Sequence, residues 1–272
     1  MNEILCSTGA LIGRPNGRNY RLLESLAGQL SCDGFEFMMY DTWYGEEEEL
    51  VRFLLSQNLR IPVMHCEKAI GEYVSKGEFE EAYRRFEINC RIAQRLRAKK
   101  LVMHLWDGLT SDANFENNIT AYPGLAGLAA QCGAELLVEN VVCSHANPLR
   151  RWCELAAKYP GIPLIFDTKM AAFHGQLELL YEKEYEWLWK NGHIRHYHVN
   201  DYGGGYMDWK NLRTLPIGTG NIEFERFFAH IKNTGYEGAL TVESTAFGAD
   251  GSVDVGMLNA QFAYIRAALR EK

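Results

Sequence analysis

The sequence predicts an α/β protein, a single (β/α)8 TIM barrel, from three observations. Eight short apolar runs alternate with longer amphipathic ones, and strict alternation of strand and helix implies a parallel sheet with crossover helices. The length of 272 residues is close to the roughly 250 typical of such a barrel. Metal-competent side chains fall at or beside the C-terminal ends of the apolar runs, the rim where these barrels carry their chemistry. An open doubly wound sheet is the competing architecture, but no G-x-G-x-x-G follows the first strand. No linker or low-complexity tract interrupts the pattern, so one domain over residues 1–272 is expected.

The elements follow in order. Residues 3–7 (EILCS) read as the first strand, and Leu22, Leu23, Leu26 and Leu30 share one face of a helix over 20–30. The second strand, 34–40 (GFEFMMY), leads to a helix over 46–56, whose opening glutamates suit the positive end of a helix dipole. The third, 61–65 (IPVMH), precedes a long helix over 78–97 with Phe79, Ala82, Phe86 and Leu96 along one stripe. After the fourth, 100–105 (KLVMHL), comes a helical pattern over 115–132 that Pro123-Gly124 is expected to split in two. The last four strands are 135–139 (ELLVE), 163–167 (PLIFD), 195–199 (RHYHV) and 239–243 (ALTVE), followed by helices over 148–159, 178–190, 224–233 and 258–270.

Composition narrows the class. With 47% apolar and 23% charged residues the chain can build a large core. A net charge of −7 argues against a nucleic-acid partner, which calls for a basic surface. Seven cysteines without a C-x-x-C pair read as reduced thiols of a cytoplasmic protein. MNEILCSTG is no signal peptide, and no apolar run approaches the roughly 18 residues of a membrane span. A soluble protein without a membrane partner is expected, with homo-oligomer formation left open.

The stretch AELLVENV directs attention to the site. Leu136, Leu137 and Val138 carry Glu139 into a core, where an unpaired charge is very costly. His65, His104, Asp167, His198 and Glu243 stand at comparable positions on other strands. A lone buried histidine is more often a hydrogen-bonded core residue, and a lone carboxylate at a strand end is often a helix cap. Six such groups at one level are different, because three carboxylates would repel one another in a low dielectric unless a cation lay between them. The mixed oxygen and nitrogen set suits one divalent ion: Mn, Mg, Co, Zn or Fe.

The motifs VMH, VMHLW, LLVENV, IFDTKM, HVND, LPIGTGNIEF and TVES, in this order, resemble the xylose isomerase-like TIM-barrel superfamily. That group includes sugar and sugar-phosphate isomerases and epimerases and endonuclease IV-type enzymes. The resemblance implies a single metal held by Glu139, Asp167, His198 and Glu243. It implies for His65 and His104 either a second metal, as in the nuclease branch, or substrate contact, as in the isomerases. Two positions depart from the pattern: Met170 stands where a DTxH histidine is common, and Lys210 where the nucleases have Asp-x-His. Both bear on the third nuclease metal, so a trinuclear phosphodiester-cleaving centre is not expected. His174 is a candidate to reach back toward the site.

The quartet suits proton transfer beside a carbonyl. Glu139 and Glu243 would act as base and acid, while the metal polarises a sugar ketone and stabilises its enediolate. Lys169 reads as an anion contact or a solvated loop lysine. Trp106, with Trp43, Tyr44, Tyr202, Tyr206 and Trp209, offers aromatic surface to a sugar, and Asn200 and Asp201 are assigned to substrate contact. The loop from Gly218 to Asn221 could present N–H groups to a phosphate or be an ordinary turn. Glu36 reads as an internal ion-pair partner and His196 as a hydrogen-bonded core residue. The expected function is a metal-dependent sugar or sugar-phosphate isomerase or epimerase acting on a small carbohydrate. A dehydratase, an endonuclease IV-like hydrolase and a non-catalytic sugar-binding barrel are the alternatives.

Overall fold

A computed structural model describes residues 2–270; Met1, Glu271 and Lys272 of the expected domain lie outside the described residues. The strands are β1 (Ile4–Ser7), β2 (Gly34–Met38), β3 (Val63–His65), β4 (Lys100–Met103), β5 (Glu135–Glu139), β6 (Leu164–Asp167), β7 (Ile194–Val199) and β8 (Leu240–Val242). Their hydrogen-bonded order runs from β1 to β8 and closes into a barrel. All eight strands read from the sequence are present, most of them shorter by one or two residues. Nearly every strand residue is buried, as in a parallel sheet covered on both faces, which is why the strands read as continuous apolar runs. Among the described residues no helix is long and apolar enough to cross a membrane.

The helices are α1 (Leu23–Leu26), α2 (Glu47–Ser56), α3 (Ala69–Lys76), α4 (Phe79–Leu96), α5 (Phe115–Gln131), α6 (Pro148–Lys158), α7 (Thr168–Phe173), α8 (Trp187–Lys190), α9 (Phe224–Thr234) and α10 (Val255–Arg270). Three expectations need correction. The helix read over 20–30 shrinks to α1 flanked by 3-10 turns; Gly28 sits in the second turn, where its backbone freedom disfavours continuation. The helix read over 178–190 breaks where Glu182 turns extended, leaving two 3-10 turns and α8. The pattern over 115–132 is one helix despite Pro123. Proline cannot donate to the carbonyl four residues back, and here the Tyr159 hydroxyl donates to that carbonyl, on Ile119, at 2.9 Å. α3 and α7 were not expected, being short segments between a strand and its loop.

Packing divides the chain into two compact units, Met1–Glu36 with Asp167–Lys272, and Phe37–Phe166. In the first, Phe227 and Ile231 of α9 and Leu258, Phe262 and Ile265 of α10 are fully buried, and α9 packs on α10. In the second, Phe86 of α4, Leu125 of α5 and Trp152 of α6 are fully buried. Each such side chain contributes on the order of 1.5–3 kcal/mol by leaving water.

Candidate active site

In the first unit, Asp167, His198 and Glu243 meet. Strand alternation turns His196 and His198 of β7 to one face, and the pairing His198↔Thr241 sets the neighbouring level of β8. Glu243 follows β8 by one residue. Nδ1 of His198 lies 3.5 Å from Oε2 of Glu243 and 3.9 Å from Oδ2 of Asp167. Oε1 of Glu243 is buried without a hydrogen-bond partner. Asp167 also caps α7, accepting the Met170 N–H at 2.7 Å on Oδ1, and its Oδ2 accepts from Nδ2 of Asn200 at 3.1 Å. The same side chain is thus a helix cap and a member of a cluster of potential metal ligands.

In the second unit, Glu139 ends β5 between two histidines. Nε2 of His104 is 2.9 Å and Nε2 of His65 is 3.4 Å from Oε2 of Glu139. Nδ1 of His65 lies 2.7 Å from the Cys66 carbonyl. Nδ1 of His104 is 2.5 Å from Oδ2 of Asp107. Both nitrogens of His104 thus face carboxylates, which only accept, so the ring carries two protons. Burial alone would lower the His104 pKa; the charges of Glu139 and Asp107 outweigh it and hold the value above normal. Asp107 was missed in the sequence, although an acid three residues after a rim histidine, in HLWD, was its signal.

The remaining predicted contacts sort by burial. Trp106 is fully buried; its indole N–H donates to the Val141 carbonyl at 3.1 Å and its ring meets Phe115 edge-on. It supports the loop after β5 from beneath. Nζ of Lys169 donates to Oγ1 of Thr214 at 3.1 Å. Tyr202 and Trp43 are buried, while Tyr206 and Trp209 are exposed. The carboxylate of Asp201 accepts from the backbone N–H groups of Tyr202, Gly218, Gly220 and Ile222 at 2.8–3.1 Å. The loop offered as a phosphate cradle is thus filled by the protein's own anion, and the ordinary-turn reading describes it. Gly220 is required there, since a Cβ would stand 2.5 Å from Oδ1 of Asp201 and from the Tyr202 carbonyl.

A second anchor escaped the sequence reading. The buried Asp112 accepts from the N–H groups of Ser144, His145 and Ala146 at 2.8–2.9 Å and lies 2.7 Å from a guanidinium nitrogen of Arg151. It ties the loop following β5 to the segment preceding α5. Its partners lie 32–39 positions further along the chain, so no local motif marks it.

Comparison with known proteins places this geometry. Residues 25–263 match the model of the xylose isomerase-like TIM barrel. The chain belongs to the xylose isomerase-like TIM-barrel family. No curated protein matches it significantly. Among solved structures, the D-allulose 3-epimerase of Methylomonas sp. is similar with a TM-score of 0.69 at 18% identity, covering 98% of each chain. The IOLI protein with a bound zinc atom has a TM-score of 0.71 at 14% identity, covering 99% of this chain and 100% of that one. The 3-keto-D-glucoside 4-epimerase of E. coli has a TM-score of 0.66 at 14% identity, covering 98% and 100%. At such identities the likeness is one of fold.

Within this xylose isomerase-like barrel the two departures have structural counterparts. Met170 is buried in α7, and its backbone N–H donates to Asp167. Lys210 lies in a 3-10 turn, Trp209–Asn211. His174, the candidate to reach back, belongs to none of the clusters of potential metal ligands found among the described residues. Glu36 does belong to one, with His196 and His198.

Proposed function

We propose that the protein is a divalent-metal-dependent isomerase or epimerase of a small carbohydrate, working as a single barrel domain over residues 1–272, with one ion held by Glu139, Asp167, His198 and Glu243. The observation that carries the reading is the convergence of Asp167 and Glu243 on Nδ1 of His198, with one buried Glu243 oxygen lacking any hydrogen-bond partner. The residues fit an ion. Two ligand atoms about 2.0–2.2 Å from a tetrahedral metal stand roughly 3.3–3.6 Å apart, close to the 3.5 Å and 3.9 Å separations here. Glu139 as fourth ligand is supported by register: it pairs with Ile165, two residues before Asp167, and paired or alternate residues share a sheet face. An oxygen-rich set with one imidazole suits Mn, Mg, Co, Zn or Fe.

The carbohydrate substrate is supported by family membership and by solved neighbours named as sugar epimerases. The neighbouring IOLI protein binds zinc, in keeping with a metal here. When bound, the ion would act as a Lewis acid on the substrate carbonyl. Glu139 and Glu243 would carry the proton, one removing it from the carbon beside the carbonyl and the other returning it. His65 and His104 would orient Glu139 and, with Lys169 and Asn200, bind substrate hydroxyls; Trp106 and Asp201 would support the surrounding loops. Because Asp201 already fills the N–H groups of its loop, an unphosphorylated sugar is favoured. Seven cysteines outside any disulfide fit the reducing cytoplasm.

The test joins elemental analysis of the purified protein with a panel of keto-sugars incubated in deuterated water. One divalent ion per chain and deuterium entering a carbon beside the carbonyl are expected. A metal-loaded protein that neither exchanges nor interconverts any sugar of the panel would overturn the reading.

A further inference from the structure

Below the rim of the first unit, four fully buried polar side chains form a hydrogen-bonded chain: Glu36, His196, His198 and Thr241. Their strands bring them together, with Glu36 paired to Ser7 of β1, and Thr241 paired to Leu5 of β1 and to His198 of β7. Nε2 of His198 lies 2.9 Å from Oε1 of Glu36. The Thr241 hydroxyl donates to Oε2 of Glu36 at 2.7 Å. Nε2 of His196 is 2.8 Å from that same hydroxyl oxygen.

The direction of each bond follows from the chemistry of the groups. A carboxylate only accepts, so Nε2 of His198 carries its ring proton. Thr241 has one proton and spends it on Glu36, so its oxygen must accept from His196. With Nε2 committed to Glu36, Nδ1 is the nitrogen left to bind an ion. Nδ1 is the atom that faces Glu243 and Asp167.

We propose that Glu36 is a positioning residue of the metal centre: by taking the Nε2 proton of His198 it sets the tautomer and the ring orientation that present the Nδ1 lone pair to the ion. The inference rests on the metal site proposed above. A buried carboxylate is a costly way to fill space, since apolar residues of similar volume are often as stable or more so. A carboxylate behind a metal-binding imidazole has a function that no apolar residue supplies: it fixes the tautomer and raises ligand basicity. Glu36, His196 and His198 could instead hold an ion of their own. Direct hydrogen bonds of 2.7–2.9 Å already engage these atoms, and Nε2 of His196 also lies 3.3 Å from Oε2 of Glu36.

The test uses 15N-histidine NMR of the protein loaded with diamagnetic Zn2+, with His198 assigned by comparison with His198→Asn, and Mn2+ affinity measured by chelator competition. The wild type should show His198 with its proton on Nε2 and its Nδ1 bound to the ion. In Glu36→Gln two donors converge on a group with only one acceptor. The His198 signals should then move toward the Nδ1–H form, and Mn2+ should bind about 10–100-fold more weakly. The wild-type tautomer is informative whether or not the variant folds. Protonation of His198 on Nδ1 in the wild type, unchanged Mn2+ affinity in a folded Glu36→Gln, or a second equivalent of metal lost in that variant would each overturn the proposal. A wild type that takes up no metal would instead overturn the metal site itself, with the tautomer still reporting whether Glu36 sets the ring.

Discussion

Nε2 of His104 lies 2.9 Å from Oε2 of Glu139, so one of the two proposed acid–base carboxylates is held by an imidazolium. Glu243 meets His198 Nδ1 at the longer distance of 3.5 Å, and its Oε1 is buried with no hydrogen-bond partner. The two glutamates are therefore unlike: one is oriented and electrostatically stabilised as an anion, the other has an oxygen in reserve for a ligand or a proton.

Glu139→Gln and Glu243→Gln should each lower turnover by at least about 100-fold, since a positioned acid or base contributes roughly 10²–10⁴. Metal content of each variant separates lost proton transfer from lost metal. In an epimerase, a variant lacking one glutamate should still exchange substrate hydrogen for deuterium from the other face without completing inversion. Near wild-type turnover with metal bound would refute the two-glutamate mechanism.

Removal of the ion should destabilise the protein. Ligand that binds only the folded state adds about 2.7 kcal/mol at a hundredfold excess over its Kd. Melting in excess Mn2+ and in excess chelator should therefore differ by several degrees, and coincident curves would speak against a metal centre.

Asp112→Asn should cost about 3–5 kcal/mol near neutral pH, the usual penalty for breaking one side of a buried ion pair. Burial pushes the Asp112 carboxyl up, but the His145 N–H and the Arg151 guanidinium outweigh it and hold the pKa below normal. A depressed carboxyl contributes stability above its unfolded pKa, about 3.9, and loses it as pH falls through the folded value. Denaturant unfolding should show the full gap between wild type and variant above about pH 5, narrowing below about pH 4.

Tyr159→Phe should cost about 1 kcal/mol, because the Ile119 carbonyl loses the hydroxyl that replaces the missing N–H of Pro123. Pro123→Ala restores that N–H. In the double variant the Tyr159→Phe penalty should largely vanish, and strict additivity of the two changes in unfolding free energy would show that the hydroxyl is not compensating for the proline.

Much of this was legible in the sequence. Periodicity along each strand turned His196 and His198 to one face, and the run LLVE delivered Glu139 to a strand end. These are local properties, fixed by backbone geometry that repeats every two residues, so a linear reading recovers eight strands and the level at which their polar residues emerge. Helix continuity was less legible. Pro123 reads as a break because the group that compensates for it, Tyr159, is 40 residues away.

What the tertiary structure alone decided is which polar group satisfies which. Glu36 meets His198 across 162 positions and Thr241 across 205. Asp112 reaches Arg151 across 39, and Asp201 fills the glycine loop for which a phosphate cradle was the alternative to an ordinary turn. A buried carboxylate must find donors wherever the fold brings them. The residue type announces that need along the chain, while the identity of the partner depends on strand register and loop closure.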